Sequence, residues 1–428
     1  MAIVYQLLSS DGVELTARTD PSLSLSALKE ILSDEKIVVH FQSILSAHNH
    51  SVIGFEGLVR GKLPGGGLIP PISLFNSAKK YGLTLELDRL CREKILANFS
   101  NIYHLNSRSL LFLNLETSFL SSEIVGSGYL LNQLTKHKVP PANIIIEIVE
   151  SRTNDTDALI RFVNNYRDCG LNIALDDMGT GHSNFDRIPL LRPNIIKIDR
   201  SIINEIDTNY FKQEIFKSLT NLSRNIGALT LAEGVETQKE ALLCIEYGAD
   251  LLQGYYFSKP KYLQYAENGD EERKLKDILL SFRARKIDIV SAKLFENNRY
   301  QKIVRQILQG LEDQHPVVFD NILRETIEAY NSVDALYIVD DDGIQITETF
   351  IKKDSKHLIN PLFRAVSKNE SLSYKEYFYQ LINTDLQKYT TDRYISFATG
   401  NLCITLSHLF TGNDNRRYIL CTDFLVNN

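Results

Sequence analysis

The sequence lacks the features of a secreted or membrane-spanning protein. Its five cysteines are scattered, odd in number and free of any Cys-x-x-Cys pair, so we expect reduced thiols that pack as small core residues. No apolar run approaches the length needed to cross a bilayer, and no basic leader followed by an apolar core is present. These absences predict a cytoplasmic protein.

The sequence also lacks an excess of positive charge. It carries 47 Lys and Arg residues against 53 Asp and Glu residues, a formal net charge of −6. DNA binding is not expected, because no basic stripe would offset a phosphate backbone. A small phosphorylated ligand in a local pocket is compatible with this charge. With 428 residues and no low-complexity tract, the chain can form a full-size barrel and a second domain.

Seven short apolar runs in the first 260 residues carry a polar or charged residue at or near their ends. Core strands do not normally end on carboxylates, because burying one without a partner is costly. The pattern suggests parallel strands that bring polar groups to one rim, as at the C-terminal strand ends of a (β/α)8 barrel. The residues are Glu56, Asn114, Glu147 with Glu150, Asp176 with Asp177, Lys197 with Asp199, Glu233 with Glu236, and Gln253.

Strand-like runs alternate with amphipathic stretches from about residue 36 to 257, which predicts parallel pairing with right-handed crossovers. IVVHFQSI and SVIGFEGLVR, separated by AHNH, instead predict a hairpin. The expected fold class is therefore α/β: a (β/α)8 TIM-like barrel with one antiparallel strand. Helices are expected over 71–99, 121–135, 156–169, 201–226 and 237–247.

The later part of the chain has a different character. Residues 259–290 are highly charged with helical apolar spacing, and a solvated connecting helix is favoured over a coiled signalling helix because too few heptads are present. Two helical stretches, a hairpin at Asp341-Asp342-Gly343 and three further strands then predict a smaller α+β domain. The expected boundaries are 1–260 for the barrel, 261–296 for the connecting helix and 297–428 for the second domain.

Four strand-end residues would supply oxygen ligands, namely Glu56, Asn114, Glu147 and Asp176. Oxygen ligands suit Mg²⁺ or Mn²⁺, and zinc is not expected without His or Cys. If the chain turns at Asp177, both aspartates face inward, and Asp176 would bridge two metals roughly 4 Å apart, an arrangement that activates water for phosphodiester cleavage. Alone, an Asp-Asp-x-Gly segment is more often a turn.

Four charged residues leave alternatives open. Lys197 either extends to the strand rim or lies beside the attacking water or a phosphate oxygen. Glu233 either ligates a metal or accepts the proton of the water. Glu150 and Glu236 are either supporting groups that hold ligands and loops or surface charges.

These motifs resemble those of the EAL-domain phosphodiesterases, which cleave cyclic di-GMP to pGpG. FEGLVR is similar to the family's E-A-L-x-R signature, NLETSFL to N-x-S, IEIVES to E-x-T-E-S, and DDMGTGHSNFDRI to its Asp-Asp loop. PNIIKIDRSII, AEGVET and LLQGYYFSKP extend the resemblance, which runs from about Ile37 to Pro260. So many motifs in order and spacing make the resemblance specific.

The resemblance implies a role for each matching residue. Metal ligands are implied at Glu56, Asn114, Glu147, Asp176 and Asp177, with Glu233 as a ligand or the general base. Lys197 is implied to lie near the water and Glu150 to hold the Asp-Asp loop, while Gln42, Arg60, Glu236 and Gln253 match substrate-contacting or supporting positions. The resemblance also implies two Mg²⁺ or Mn²⁺ ions per site, cyclic di-GMP as substrate, and a homodimer.

The chain departs from the family pattern at several positions. Gly57 replaces the signature alanine, which is expected to loosen the backbone beside Glu56. Ser43 replaces the proline of Q-P-I, and Met178 and His182 replace Phe and Tyr of the Asp-Asp loop, which in the family couples metal binding to dimerisation. An active phosphodiesterase is the leading hypothesis, because no chemistry-bearing residue is missing. The alternative is a catalytically weak or inactive cyclic di-GMP receptor or scaffold.

The C-terminal segment resembles the PAS/Cache-like domain that follows the barrel in YkuI-type proteins. DALYIVDDDGIQIT and RYISFATGNLCITLS carry this likeness. It implies a sensory domain whose ligand, a small molecule or a protein, is unidentified. Asp340, Asp341 and Asp342 are expected to form a charged turn rather than a cation site.

Overall fold

The structure is a computed structural model that describes seven ranges of the chain: 23–63, 67–115, 128–149, 156–179, 185–262, 269–352 and 362–426. The chain divides into two compact units, Met1–Lys286 and Ile287–Asn428. No helix in the described ranges is both long and apolar enough to cross a membrane. All five cysteines are free thiols, as expected, and four of them are buried.

The first unit contains a closed barrel of eight strands. The strands of its sheet, in chain order, are β1 (Ile37–Ser46), β2 (Ser51–Lys62), β3 (Leu68–Ile69), β4 (Leu110–Leu115), β5 (Ile144–Val149), β6 (Asn172–Met178), β7 (Ile195–Ile198), β8 (Leu229–Ala232) and β9 (Leu251–Leu252). The short strand β3 pairs with β2 at an edge and is not one of the eight barrel strands. Strand β1 runs antiparallel to both β2 and β9, whereas every pairing from β2 through β4 to β9 is parallel. The TIM-like barrel with one antiparallel strand is confirmed.

Helices surround this barrel. They are α1 (Leu25–Ser33), α2 (Pro71–Tyr81), α3 (Thr84–Leu105), α4 (Tyr129–His137), α5 (Thr156–Asp168), α6 (Arg187–Leu191), α7 (Arg200–Ile203), α8 (Tyr210–Ile226), α9 (Gln238–Glu246) and the beginning of α10 (Asp270–Leu311), which continues into the second unit, with a 3-10 turn at Pro141–Asn143. Outward-facing apolar side chains of the strands and the inner faces of the helices form one large core.

Two predicted helices are each broken in the structure. The helix expected over 71–99 divides because Gly82 adopts a left-handed conformation with φ of 68° and ends α2. The helix expected over 201–226 begins as α7 and resumes at α8, where the Asn209 side chain accepts a hydrogen bond from Lys212 N and starts a new helix. The beginning of the helix expected over 121–135 lies outside the described residues.

The second unit contains a six-stranded antiparallel sheet. Its strands are β10 (Val333–Asp340), β11 (Phe350–Ile351), β12 (Lys388–Thr390), β13 (Tyr394–Ile395), β14 (Leu402–Thr411) and β15 (Arg417–Leu425), in the order β11-β10-β15-β14-β12 with β13 beside β14. Helices α11 (Phe319–Ile327) and α12 (Glu376–Ile382) and a 3-10 turn at Pro316–Val318 accompany the sheet. This smaller unit confirms the predicted PAS/Cache-like α+β architecture.

Two further predictions concern the segments around the second unit. The predicted connecting helix at 261–296 overlaps α10, which begins at Asp270 and continues to Leu311.

In the turn after β10, Asp340 Oδ1 accepts hydrogen bonds from Asp342 N at 3.1 Å and Ile344 N at 2.8 Å. The aspartate cluster is therefore a side-chain-stabilised turn, as expected.

Candidate active site

The predicted site residues stand directly above a layer of apolar side chains inside the barrel. Seven buried residues form this floor: Ile44, Phe112, Ile145, Ala174, Ile195, Leu231 and Leu251. Side chains alternate between the two faces of a strand, so the residue two positions nearer the rim also points inward. That residue is Gln42 on the reversed strand β1, and on the parallel strands it is Asn114, Glu147, Asp176, Lys197, Glu233 or Gln253.

Lys197 lies at the centre of a buried ion cluster. Its Nζ is 2.8 Å from Glu147 Oε1, 2.9 Å from Asp176 Oδ1 and 3.2 Å from Glu233 Oε2. Lys197 and Glu147 are 0% exposed, and Asp176 is 5% exposed. The alternative in which Lys197 extends to the solvent at the rim is therefore wrong. Its ammonium is enclosed by carboxylates from three other strand ends.

The cluster changes the acidity of its members. Burial opposes the charge on Lys197, but Asp176, Glu147 and Glu233 outweigh it and raise the pKa of the ammonium well above the usual value. Burial also raises the pKa of Glu147 well above that of a free glutamate, and the nearby charge of Glu56 adds to this rise. Lys197 therefore stays protonated, while the crowded carboxylates have a strong electrostatic preference for additional positive charge.

Glu56 is held by amide groups from two other strands. Its Oε1 accepts a hydrogen bond from Asn114 Nδ2 at 2.7 Å, and its Oε2 accepts one from Gln253 Nε2 at 2.6 Å. Gln253 Nε2 also lies 3.2 Å from Gln42 Oε1, and Gln42 Nε2 donates to the Ser258 carbonyl at 3.0 Å. The Gln253 amide oxygen is buried without a hydrogen-bond partner among the residues that the structure describes. These contacts fix the position of the Glu56 carboxylate.

The chain turns at the Asp176-Asp177 pair as the two-aspartate hypothesis requires. Asp177 adopts φ of 60°, in the left-handed region, and the pairing of β6 with β7 shifts register between Leu175 and Met178. Burial is the largest cause that raises the pKa of Glu233, and Asp177 is among the carboxylates that add to it. Glu150 and His182 lie outside the described residues, so their predicted roles stay predictions.

Arg60 and Glu236 lie apart from the Lys197 ion cluster. Arg60 Nη1 donates to the Val59 carbonyl at 2.8 Å. Burial lowers the pKa of Arg60, and the charges of Tyr255 and Glu56 oppose that change. Glu236 forms an ion pair with Arg200 at 2.8 Å, with about a third of each side chain exposed.

Sequence reasoning missed Arg200. Gly234, one residue after Glu233, adopts φ of 75°, and a Cβ there would lie 2.6 Å from Arg200 Cβ and 2.7 Å from Arg200 Cγ. The stem of Arg200 therefore covers the backbone of the loop that carries Glu233, while its guanidinium pairs with Glu236. The glycine in AEGVE is a sequence signal for such a close approach, although it does not identify the partner.

The oxygen atoms of the site residues are suitable ligands for a divalent cation, but in this structure they are not arranged around a metal position. Within the described ranges, no group of three or more His, Cys, Asp or Glu side chains has the geometry of a metal site, and Lys197 lies among the carboxylates. Glu147 Oε2 is nevertheless buried without a hydrogen-bond partner. The donors are carboxylate and amide oxygens, the ligands that Mg²⁺ and Mn²⁺ prefer. Glu56, Asn114, Glu147 and Asp176 are the residues that would hold such an ion.

Comparisons of the sequence with known proteins identify the barrel. The family model described as "EAL domain" matches residues 25–260, more than half of the chain. The bifunctional diguanylate cyclase/cyclic di-GMP phosphodiesterase MucR of Pseudomonas aeruginosa is 30% identical over 243 residues, and the signaling protein YkoW of Bacillus subtilis is 28% identical over 241 residues. These matches cover 55% and 54% of this chain but only 35% of MucR and 29% of YkoW.

One relative matches nearly the whole chain. YkuI of Bacillus subtilis, an EAL-domain-containing protein, is 24% identical over 393 residues, which is 90% of this chain and 94% of YkuI. The crystal structure of YkuI, in complex with cyclic di-GMP as substrate and calcium, aligns with a TM-score of 0.79 at 23% identity and covers 94% of this chain and 99% of that chain. This likeness shows a shared fold across both units.

A second solved structure matches the barrel. The MucR phosphodiesterase, in complex with cyclic di-GMP, aligns at 27% identity with a TM-score of 0.51 and covers 55% of this chain and 96% of that chain. The family match, the motif residues gathered above the apolar floor and the two-unit alignment agree. The chain belongs to the EAL-domain family and has the two-part architecture of YkuI.

Proposed function

We propose that the protein is a metal-dependent phosphodiesterase that hydrolyses cyclic di-GMP to pGpG. The observation that carries this proposal is the set of carboxylate and amide oxygens that separate strand ends bring above the apolar floor, with the Glu56 carboxylate fixed by two amides. Membership of the EAL-domain family and the cyclic di-GMP complex of MucR support cyclic di-GMP as the substrate.

Glu56, Asn114, Glu147 and Asp176, with Asp177 and Glu233 beside them, would hold two Mg²⁺ or Mn²⁺ ions. When bound, the ions would lower the pKa of water and neutralise charge on the phosphodiester. Glu150 keeps its proposed role of holding the Asp-Asp loop.

Lys197 and Glu233 take different roles in proton transfer. The raised pKa of Lys197 keeps its ammonium charged, so it stabilises negative charge and does not act as the base. Glu233 is 29% exposed at its side chain, whereas Glu147 is fully buried, so solvent water reaches Glu233. Burial raises the pKa of Glu233, which makes its carboxylate a stronger proton acceptor than a free glutamate. We therefore assign proton acceptance to Glu233.

The remaining residues would bind or support the substrate. Arg60 can donate two parallel hydrogen bonds to a phosphate oxygen pair, because its guanidinium is planar and forked. Gln42 and Gln253 form one hydrogen-bonded unit with Glu56 and would hold the substrate-facing side of that carboxylate. Glu236 supports the Glu233 loop through Arg200.

The test is a turnover assay with purified protein, cyclic di-GMP and Mn²⁺, in which pGpG is measured by chromatography. We expect turnover in the wild type and its loss in Glu56→Gln, which keeps the shape of the side chain but removes the charge. Glu214→Gln is the matched control, because Glu214 forms a surface pair with Lys217 in which both side chains are more than a third exposed. Absence of pGpG with both Mn²⁺ and Mg²⁺ would contradict the proposal.

A second candidate function is a cyclic di-GMP receptor without turnover. The position of Lys197 among the carboxylates favours it, because the ammonium competes with a metal for the same oxygens. Tight binding of cyclic di-GMP without pGpG would establish this alternative.

We further propose that the second unit senses a small molecule or a protein and adjusts the activity of the barrel, and that the protein is a homodimer. The first proposal is supported by the separate sheet of residues 287–428, and the second by family membership. Comparison of turnover by the full chain and by a chain ending at Lys286, the last residue of the first unit, tests the regulation. Light scattering tests the dimer.

A further inference from the structure

Strand β2 presents Glu56 and Gly57 to opposite sides of the barrel wall. Glu56 points inward to the site, so Gly57 faces outward, where helix α3 packs. A Cβ at Gly57 would lie 2.5 Å from Ile95 Cγ2, 3.2 Å from Ile95 Cδ1 and 3.3 Å from Ile95 Cγ1. Gly57 has no positive φ. Glycine is therefore required at this position by the space that Ile95 occupies and not by the backbone conformation.

The backbone at Gly57 is held on every side except the barrel interior. In the sheet, Gly57 pairs with Phe41 of β1 on one side and with Leu113 of β4 on the other. Ile95 is 5% exposed, and Phe99, one helical turn later, is 0% exposed and lies against Phe41 with ring centroids 6.4 Å apart. The same face of α3 thus packs on both strands. A displaced strand can move only inward, toward the site.

The Glu56 carboxylate has little tolerance for such a movement. Its hydrogen bonds from Asn114 at 2.7 Å and from Gln253 at 2.6 Å come from other strands, which would not move with β2. A methyl group at position 57 would stand 2.5 Å from Ile95, about 0.9 Å short of the 3.4 Å at which ordinary van der Waals contact begins. A shift of this size is enough to break one or both hydrogen bonds.

We propose that the contact between Gly57 and Ile95 positions Glu56, which makes Ile95 a positioning residue for the site. The contact holds β2 at one distance from the barrel axis, and through β2 it sets the place of the carboxylate. This corrects the expectation that Gly57 loosens the backbone, because the space left by the missing methyl group is filled by Ile95. The effect on turnover rests on the proposed function, whereas the effect on the Glu56 position does not.

The first test is Gly57→Ala. Calorimetric titration with Mn²⁺ alone should show affinity weakened by roughly tenfold or more, and turnover should fall by up to about a hundredfold, the loss typical of a 1 Å misplacement. A crystal structure of this variant should show Glu56 without its hydrogen bond from Asn114 or Gln253. The structural readout decides the proposal even if the wild type neither binds Mn²⁺ nor turns over substrate.

The second test asks whether a smaller side chain at position 95 compensates for the methyl group added at position 57. Ile95→Ala alone leaves β2 without its outer contact and should also weaken Mn²⁺ binding. In Gly57→Ala/Ile95→Ala the new methyl group takes up part of the emptied space, so Mn²⁺ affinity and Tm should lie closer to the wild type than in either single variant. Leu96→Ala, at the next buried position of α3, is the control for lost core volume and should lower Tm without changing Mn²⁺ affinity.

Two outcomes would overturn the proposal. One is a Gly57→Ala variant in which both hydrogen bonds to Glu56 persist. The other is a double variant as impaired as the two single changes combined, which would mean that positions 57 and 95 act independently. A third outcome separates the two proposals. If the wild type shows no turnover, but the double variant recovers Tm and Gly57→Ala displaces Glu56, the phosphodiesterase is rejected and the positioning role of Ile95 is kept.

Discussion

Replacing Lys197 by Met should destabilise the barrel far more than any surface lysine substitution. Methionine keeps most of the side-chain volume but removes the ammonium that lies within 3.2 Å of three carboxylate groups. Removing one partner of a buried ion pair costs about 3–5 kcal/mol, because the remaining charge is left uncompensated. Lys217→Met is the matched control, since Lys217 and Glu214 are 36% and 44% exposed, and such pairs contribute only about 0–1 kcal/mol.

The assay must report on the barrel alone, because the chain has two units and no tryptophan. Hydrogen exchange of the amides of β5–β7 in increasing denaturant gives the free energy of unfolding for this unit. Lys197→Met should lower it by about 3–5 kcal/mol at pH 8. The loss should shrink toward pH 5, because burial already raises the pKa of Glu147 and Glu233, and protonation removes their repulsion.

Added Mn²⁺ supplies a second, independent reading of the same effect. A cation that enters the carboxylate cluster of the variant replaces the lost charge, so Mn²⁺ should stabilise Lys197→Met more than the wild type. The reasoning would be refuted if Lys197→Met and Lys217→Met lost the same stability at pH 8. It would also be refuted if the loss grew at low pH, since protonated carboxylates need no counter-charge.

Three further predictions concern separate parts of the molecule. Asp176→Asn should abolish metal binding and turnover together while the barrel stays folded, and near-normal turnover would exclude the bridging role; calorimetry and the pGpG assay measure both. Arg200→Ala should reduce turnover more than Arg200→Met, because methionine keeps the stem that covers Gly234; equal losses would mean that only the ion pair to Glu236 matters. In the second unit, burial raises the pKa of Asp423 from 3.8 to about 6. The folded unit therefore binds the proton more tightly than the unfolded chain, and its stability should fall by about 2 kcal/mol as pH rises from 4 to 7. Asp423→Asn should remove this dependence and raise the Tm of the unit at pH 7; an unchanged pH profile, measured by calorimetry, would contradict it.

Much of the barrel was accessible from the sequence because its signals are local and periodic. The runs that end on polar residues are short and apolar, and the alternation of side chains between the two faces of a strand places Asn114, Glu147 and Lys197 above the apolar floor. The strand that runs antiparallel was also predictable, since the short polar turn after β1 leaves room only for a hairpin.

The contacts between strand ends were not accessible in the same way. The approach of Lys197 to three carboxylates depends on how strands distant in sequence converge, which no local pattern encodes. The contact of Ile95 with Gly57 likewise depends on the distance between a helix and a strand. The break of one predicted helix at Gly82 did have a local signal, but the helical spacing on both sides of the glycine concealed it.

Because strand β1 is reversed, it connects the rim of the barrel with the segment around Lys261, through which the chain leaves the barrel. Because β1 begins at the rim, Phe41 can exchange backbone hydrogen bonds with Lys261, at 2.8 and 3.0 Å, directly beside Gln42. Lys261 in turn pairs with the buried Glu271 in the first turn of α10 at 2.8 Å. A displacement of that helix would thus reach the Gln42–Gln253–Glu56 hydrogen bonds through one strand residue, in addition to the contacts that Leu275 and Ile278 of α10 make in the hydrophobic core. We therefore expect strand β1 to transmit a movement of α10 to the Glu56 carboxylate, because Phe41 and Gln42 are adjacent residues of that strand.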